Sequence, residues 1–455
     1  MRSLAANAES RLCLWLRVRE YAVPPTMIET ATARRRLGDW AGACAAARVD
    51  VDLDLRATAR RHGHELTARL RDDLRHLAPD LLRWHLPRIA PDGLLRPGLT
   101  VSLARYAPPD GAAPVHLVAR TAPAWADAGQ RISLALWTAS EVDRRPHPHP
   151  RPDRRFRLDL HRHLWDARRT DELRIRTGAP PADVGDRDPA WQALRDDGYA
   201  VHRWAAEAAL LLRADGLTGS AVTVRLGPRR RHVLDLAAGS GHPPGAGSAR
   251  AGLVAALPVL PDAATWSAPD GELLRRGLIE VDRLHPLVAS ALVPDRPAVG
   301  VAAAAVREPA GPPRLVTCRG ELHRIGLVDG TLAALDHDPA EIRREELLAA
   351  LTGTPIACLQ AIDQAHRRPE SLPDIRTRLD HGDTAGALAA VEALLGPDAL
   401  LRTGSLRDAL ESAAQRRVTH GLFRAGLTGR GPTSSAEDRR SKRRQRSHPR
   451  HTHAR

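Results

Sequence analysis

The sequence predicts an α+β fold in which helical hairpins alternate with short antiparallel β meanders and hairpins. Leucine and alanine recur at three- and four-residue spacing near both ends of the chain, which marks amphipathic helices. Between those stretches lie short alternating runs bounded by Pro and Gly, such as LTVSLARY, PVHLVART and ISLALW, which mark strands. The helical and β blocks alternate without a βαβα series, which argues against one parallel sheet. At 455 residues the chain has material for two to four domains of the usual ~100–200 residues.

The elements follow in order. Pro24 and Pro25 ahead of Met27 mark the first expected helix, so residues 1–22 are expected to be a flexible N-terminal extension. From 23 to 90 the chain is expected to be helical. Met27–Leu37 and Trp40–Arg48 form a hairpin about Gly38-Asp39, with Asp39 as N-cap. Leu66, Leu70, Leu74, Leu77 and Leu81 then line one face of a longer helix interrupted at Pro79. Residues 91–160 read as a β meander whose last strand is RFRLDL, preceded by a Pro/His-rich loop. Residues 161–336 read as a mixed region of helix and β hairpins, including a two-stranded hairpin AVTVRLGPRRRHVLDL and turns at Arg319-Gly320 and Asp329-Gly330. Residues 337–427 return to helix, with Asp338 and Pro339 at the cap and first helical position. Residues 428–455 form a basic tail expected to be disordered.

Charge bears on the choice of partners. The net charge is +14, but the tail carries nine basic and two acidic residues, so it holds +7 and leaves only +7 for the rest. Non-specific polyanion binding is therefore expected of the tail alone. All but one of the 68 Lys and Arg residues are arginine, which reads as codon bias rather than guanidinium chemistry. Cys13, Cys44, Cys318 and Cys358 are too widely spaced for CxxC pairs, which fits a reducing cytoplasm. No apolar run approaches the ~20 residues of a membrane helix, so no membrane partner is expected.

One run could name an enzyme. VLDLAAGSG, Val233–Gly241, has the strand, acidic residue and small-residue loop with which methyltransferases bind S-adenosylmethionine, so Asp235, Gly239 and Gly241 are the candidate cofactor contacts. Its flanks argue otherwise. HPPGAGSARAG follows where a helix is needed, and Leu234 and Leu236 continue the alternation of a hairpin begun by Val222, Val224 and Leu226. Cys318, Glu321 and His323, with Asp336, His337 and Asp338, could be gathered about a metal, but their spacing matches no ligand signature and no metal is expected. The His-x-His pairs at 62/64, 147/149, 161/163 and 451/453 lack a second ligand pair. No catalytic residue emerges, since GxSxG, GxxxxGK[ST] and HExxH motifs are all absent.

GDWAGACAAA at Gly38–Ala47 and GDTAGALAAV at Gly382–Val391 share a turn and an Ala-rich helix, but two copies do not make a solenoid. The segments GDWAGAC, DDLRHLAPDLLRWHLPR, HLWDARRTDELR and CRGELHRIGLVDGTLAALDHD together resemble a family of large Arg/Ala-rich actinobacterial proteins without an assigned activity. That resemblance implies a shared multi-part architecture and carries over no site residues. The expected function is a cytoplasmic, non-enzymatic scaffold or partner-binding component with an unknown protein partner and no cofactor. A methyltransferase and a nucleic-acid-associated protein acting through the tail are the alternatives.

Overall fold

The computed structural model describes residues 4–107, 111, 113–139, 147–177, 189–227, 230–237, 256–294 and 314–427. It is a mixed α+β chain with small sheets, and it divides into two compact units, one of residues up to Val301 and one of Ala302–Arg424.

The first unit begins with helix α1, Leu4–Arg17, continued by a π turn over Val18–Ala22. The expected flexible extension is thus an ordered helix. Leu12, Leu14, Val18 and Ala22 are buried in the main core. Pro24 and Pro25 do open a helix, but not the first one, and Arg11 pairs with Glu272 and Arg19 with Asp270 at 3.1 Å. Charges with partners some 250 residues away do not prevent burial, and no local pattern reveals those partners.

Helices α2 (Pro25–Arg36) and α3 (Trp40–Ala46) form the expected hairpin. After α4 (Leu55–His62), α5 (His64–His76) and α6 (Pro79–His85) are separated at Leu77–Ala78, where Pro79 cannot continue the helix. The leucine stripe of α5 and α6 is buried throughout.

The principal sheet has the order β1-β6-β5-β4. Its strands are β1 (Val49–Val51), β4 (Thr100–Tyr106), β5 (Val115–Thr121) and β6 (Ile132–Trp137); β2 (Arg88–Ile89) and β3 (Leu94–Leu95) pair separately. The meander β4-β5-β6 is antiparallel as expected, but β1 adds a parallel edge on β6 from within the stretch read as helical. RFRLDL forms no strand. Leu158 and Asp159 both donate their amides to the Ser102 carbonyl, at 2.8 and 2.9 Å, where the β4 register slips between Ser102 and Ala104. The bulge draws the segment into a turn rather than a ladder.

A second core in this unit gathers Trp191, Tyr199, Trp204, Leu211, Val222 and Leu260. It is formed by α8 (Pro189–Asp196), α9 (Trp204–Ala214), the antiparallel pair β7 (Ala221–Arg225) and β8 (Arg231–Asp235), and α10 (Asp262–Thr265). Helices α7 (Glu172–Thr177), α11 (Pro269–Arg275) and α12 (Pro286–Leu292) complete the described part of the unit.

The second unit opens with a sheet ordered β11-β10-β9, from β9 (Arg314–Cys318), β10 (Glu321–Val328) and β11 (Thr331–Ala334). Both two-residue turns expected from sequence are present, with left-handed pairs at Arg319 (φ 53°) and Gly320 (φ 87°), and at Asp329 (φ 48°) and Gly330 (φ 78°). Two consecutive positive φ values define the hairpin turn that matches strand twist. These hairpins pack with the helices that follow, on both sides of the expected boundary at 336, within one compact unit. Cys318 and Ile325 of the strands share a core with Cys358 and Ile362.

Those helices are α13 (Pro339–Thr352), α14 (Ala357–Arg367), α15 (Leu372–His381), α16 (Thr384–Leu395) and α17 (Ser405–Arg424). Ile375, Leu379, Ala387, Leu395 and Leu406 form one core, and Cys318, Ile325, Cys358 and Ile362 a smaller one under the sheet.

The two GD-x-AGA segments share one local device. Asp39 accepts from Gly42 N at 2.8 Å and from Arg34 at 3.2 Å; Asp383 accepts from Gly386 N at 3.1 Å and from Arg378 at 3.0 Å. In both, a Cβ on the glycine would stand 2.1 Å from the capping carboxylate. Asp383→Ala is therefore expected to cost about 1–2 kcal/mol through the lost cap. Gly386→Ala is expected to destabilise the wild type, yet to stabilise the Asp383→Ala background by up to about 1 kcal/mol, the usual helix gain. A double-mutant cycle by thermal unfolding checks this; equal effects of Gly386→Ala in both backgrounds would refute the coupling.

Candidate metal centre and buried polar networks

Three ligand-type side chains converge in the second unit. Cys318 ends β9, His337 directly precedes Asp338, and Cys358 lies in the first turn of α14. Each position has a local cause. On the inner face of the β9-β10 hairpin, Cys318 is opposite Glu321 and Val316 is opposite His323, while Leu315, Thr317, Leu322 and Arg324 share the outer face. Asp338 caps α13 by accepting from Ala340 N at 2.9 Å, which fixes the chain at His337.

The ligand atoms of Cys318, His337 and Cys358 all lie within 4.8 Å of one another. The His337 side chain is 3% exposed; its Nδ1 lies 3.5 Å from a Glu341 oxygen, and its buried Nε2 has no partner among the described residues. His323 stacks on the His337 ring, with centroids 4.2 Å apart and planes at 17°. Burial, followed by contact with the Cys318 thiol, pushes the Cys358 thiol up to about 11.

Sequence reading considered Cys318 and His337 but left out Cys358, because a whole helix separates it from the others. Of the remaining residues weighed with them, Asp336 accepts from Arg324 N at 2.7 Å and Asp338 is spent on the cap. Glu321 is exposed.

Several buried carboxylates of the first unit sit in hydrogen-bonded networks. A surface cavity of about 410 Å³ is lined by Asp73, Tyr106, Asp166 and several arginines. Asp73 accepts from Tyr106 Oη and Arg168, both at 2.8 Å, and from Arg162. Asp166 accepts from Arg162 at 2.8 Å and Arg168 at 3.0 Å. Burial alone would raise the Asp166 carboxyl, but hydrogen bonds from Arg168 and Arg162 outweigh it and hold the group below the usual range.

Elsewhere in this unit, Asp270 accepts from Trp84 Nε1 at 2.8 Å and Arg19 at 3.1 Å, and Asp80 from His285 Nε2 at 2.8 Å. Glu207 accepts from Arg176 and Arg203, both at 2.6 Å, beside His161 at 3.2 Å. Burial opposes its ionisation, yet His161 and Arg176 bring it down to about 2. Each of these buried carboxylates already accepts from a side chain of this unit. The pair His161 and His163, unremarkable in sequence, is buried at the edge of the Glu207 network.

Asp235 ends β8, and β8 pairs antiparallel with β7 in the register Ala221↔Asp235 to Arg225↔Arg231. Its carboxylate accepts from Ser220 Oγ at 2.8 Å and Ala237 N at 3.0 Å. This is the pairing that conflicts with the parallel crossover of a cofactor-binding sheet. Gly239 and Gly241 lie outside the described residues, as does the basic tail from 428. No helix among the described residues is long and apolar enough to cross a membrane. Comparison with known proteins finds no matching family model, curated protein or solved structure.

Proposed function

We propose that this chain is a cytoplasmic, non-enzymatic partner-binding component that docks a second protein through α13. The observation that carries the reading is the outward face of that helix. No residue of α13 is buried, and Leu347, Leu348 and Leu351 are 68%, 50% and 86% exposed. An i, i+1, i+4 leucine stripe on a surface helix is the pattern of an amphipathic helix laid into an apolar groove. Arg343 and Arg344, both exposed one turn before the stripe, suit a partner groove with an acidic rim.

The helix is held by ion pairs along one side. Arg319, at the hairpin turn, pairs with Glu341 at 2.6 Å and with Glu345. Leu347 and Leu351 lie away from Glu345 around the helix, and Leu348, seven residues after Glu341, borders the paired face. The saturated carboxylates of the first unit support the non-enzymatic part, since each is committed to structure.

The test compares the wild type with Leu347→Asp/Leu351→Asp by sedimentation in extract of the producing cells. Leu347 and Leu351 are mostly exposed, so the double variant is expected to keep its stability within about 0.5 kcal/mol per site. The wild type is expected in a larger species and the variant as a monomer. A monomeric wild type, or a variant that sediments like it, would refute the proposal.

A further inference from the structure

We infer that Cys318, His337 and Cys358 form a transition-metal site, and that zinc is the ion the donor set fits best. Two thiolates and one imidazole are soft and borderline donors, which select zinc-like ions over magnesium or calcium. A tetrahedral ion with Zn–S of ~2.3 Å and Zn–N of ~2.0 Å separates its ligand atoms by roughly 3.5–3.8 Å. The three ligand atoms lie within 4.8 Å of one another, so the site closes on the ion by about 1.3 Å at most.

His337 carries the most specific sign. A buried ring nitrogen without a partner is costly in a folded protein, and Nε2 of His337 is one. Its other nitrogen faces Glu341 at 3.5 Å, the carboxylate–histidine arrangement that orients a ligand ring and raises its basicity. His323, stacked on the same ring and with a buried Nδ1 also lacking a partner among the described residues, braces His337 from the side. Binding replaces two S–H bonds by two metal–thiolate bonds, and both protons leave to solvent. With three protein ligands, the fourth position goes to water, as in other three-ligand zinc sites.

The ligands come from three successive parts of the unit's first half. Cys318 belongs to the hairpin, while His337 and Cys358 stand at either end of the α13 segment. The ion therefore closes a loop whose only element is a helix without a buried residue. The inference stands on the ligand geometry and is independent of any docking role for α13.

The test uses the full chain, purified under reducing conditions. Elemental analysis is expected to find about one zinc per chain. Replacement by Co(II) is expected to give a thiolate-to-cobalt charge-transfer band and intense tetrahedral d–d bands. Cys318→Ser, Cys358→Ser and His337→Ala are each expected to weaken binding by on the order of 100-fold or more, whereas Cys13→Ser, at an exposed cysteine, leaves it unchanged. Should a variant fail to fold, titration of metal-stripped wild type provides the second reading: amide exchange over residues 339–352 is expected to slow as zinc is added. Zinc far below one equivalent together with an octahedral cobalt spectrum would overturn the inference. So would a Cys318–Cys358 disulfide that persists in reducing buffer, or exchange over 339–352 indifferent to zinc.

Discussion

Trp84→Ala is expected to lower the stability of the first unit by about 3–5 kcal/mol, the range for removing a buried large aromatic. Trp84 is 1% exposed and joins three kinds of interaction at one place. Its ring meets Trp15 at 5.0 Å between centroids, the Arg19 guanidinium lies 4.2 Å from its centroid, and its Nε1 donates to Asp270 at 2.8 Å. Truncation opens a cavity between α1 and α6 and deprives a buried carboxylate of one donor. Trp84→Phe retains much of the packing and is expected to cost only about 1–3 kcal/mol, chiefly the unsatisfied acceptor. All nine tryptophans precede residue 267, so their fluorescence reports on the first unit alone. Denaturant titration by that signal measures both variants, and a Trp84→Ala midpoint within error of the wild type would refute this account of the core.

Mild acid is expected to unfold the same unit ahead of the second. His163 is 2% exposed, and burial, reinforced by Arg176, holds it well below its ordinary value. Its Nδ1 faces Arg176 Nη1 at 3.0 Å and must accept that bond, so the ring is neutral in the fold. Burial likewise brings His85 down to about 4. Both groups are depressed relative to an unfolded value of about 6.5. Their contribution is complete above pH 6.5. It is lost as the pH falls toward 4, because the unfolded chain takes up protons that the folded chain refuses. Each histidine adds a slope of up to about 1.4 kcal/mol per pH unit in that window. Glu207, held down to about 2, adds a loss of the same sign at lower pH. His163→Gln keeps an acceptor for Arg176 and does not titrate. Denaturant titrations at pH 7, 6 and 5 are expected to show a shallower pH slope in this variant; an unchanged slope would contradict the assignment.

The features legible in the sequence are those with a local cause. Arg319-Gly320 and Asp329-Gly330 stand at tight turns because the turn type demands consecutive positive φ, and Asp39 and Asp338 cap helices because their side chains meet nearby amides. Long-range causes stayed hidden. β1 is three residues long and pairs with a strand more than 80 positions away. The N-terminal helix buries Leu12 and Leu14 while Arg11 and, in the following turn, Arg19 meet Glu272 and Asp270 some 250 residues away. The candidate metal site was half visible: Cys318 lies in the first hairpin and His337 just after the last strand, but Cys358 joins them only once α13 has been threaded between. VLDLAAGSG was legible as a second hairpin arm from its own alternation, and its strand pairs accordingly.

The central claim is that α13 meets a partner through its leucines, and photo-cross-linking in living cells tests it most directly. A photoreactive residue in place of Leu348 is expected to give a discrete adduct of higher mass. The same residue in place of Arg60, exposed on α4, is expected to give none. Adducts that are absent at both positions, or identical at both, would contradict the claim.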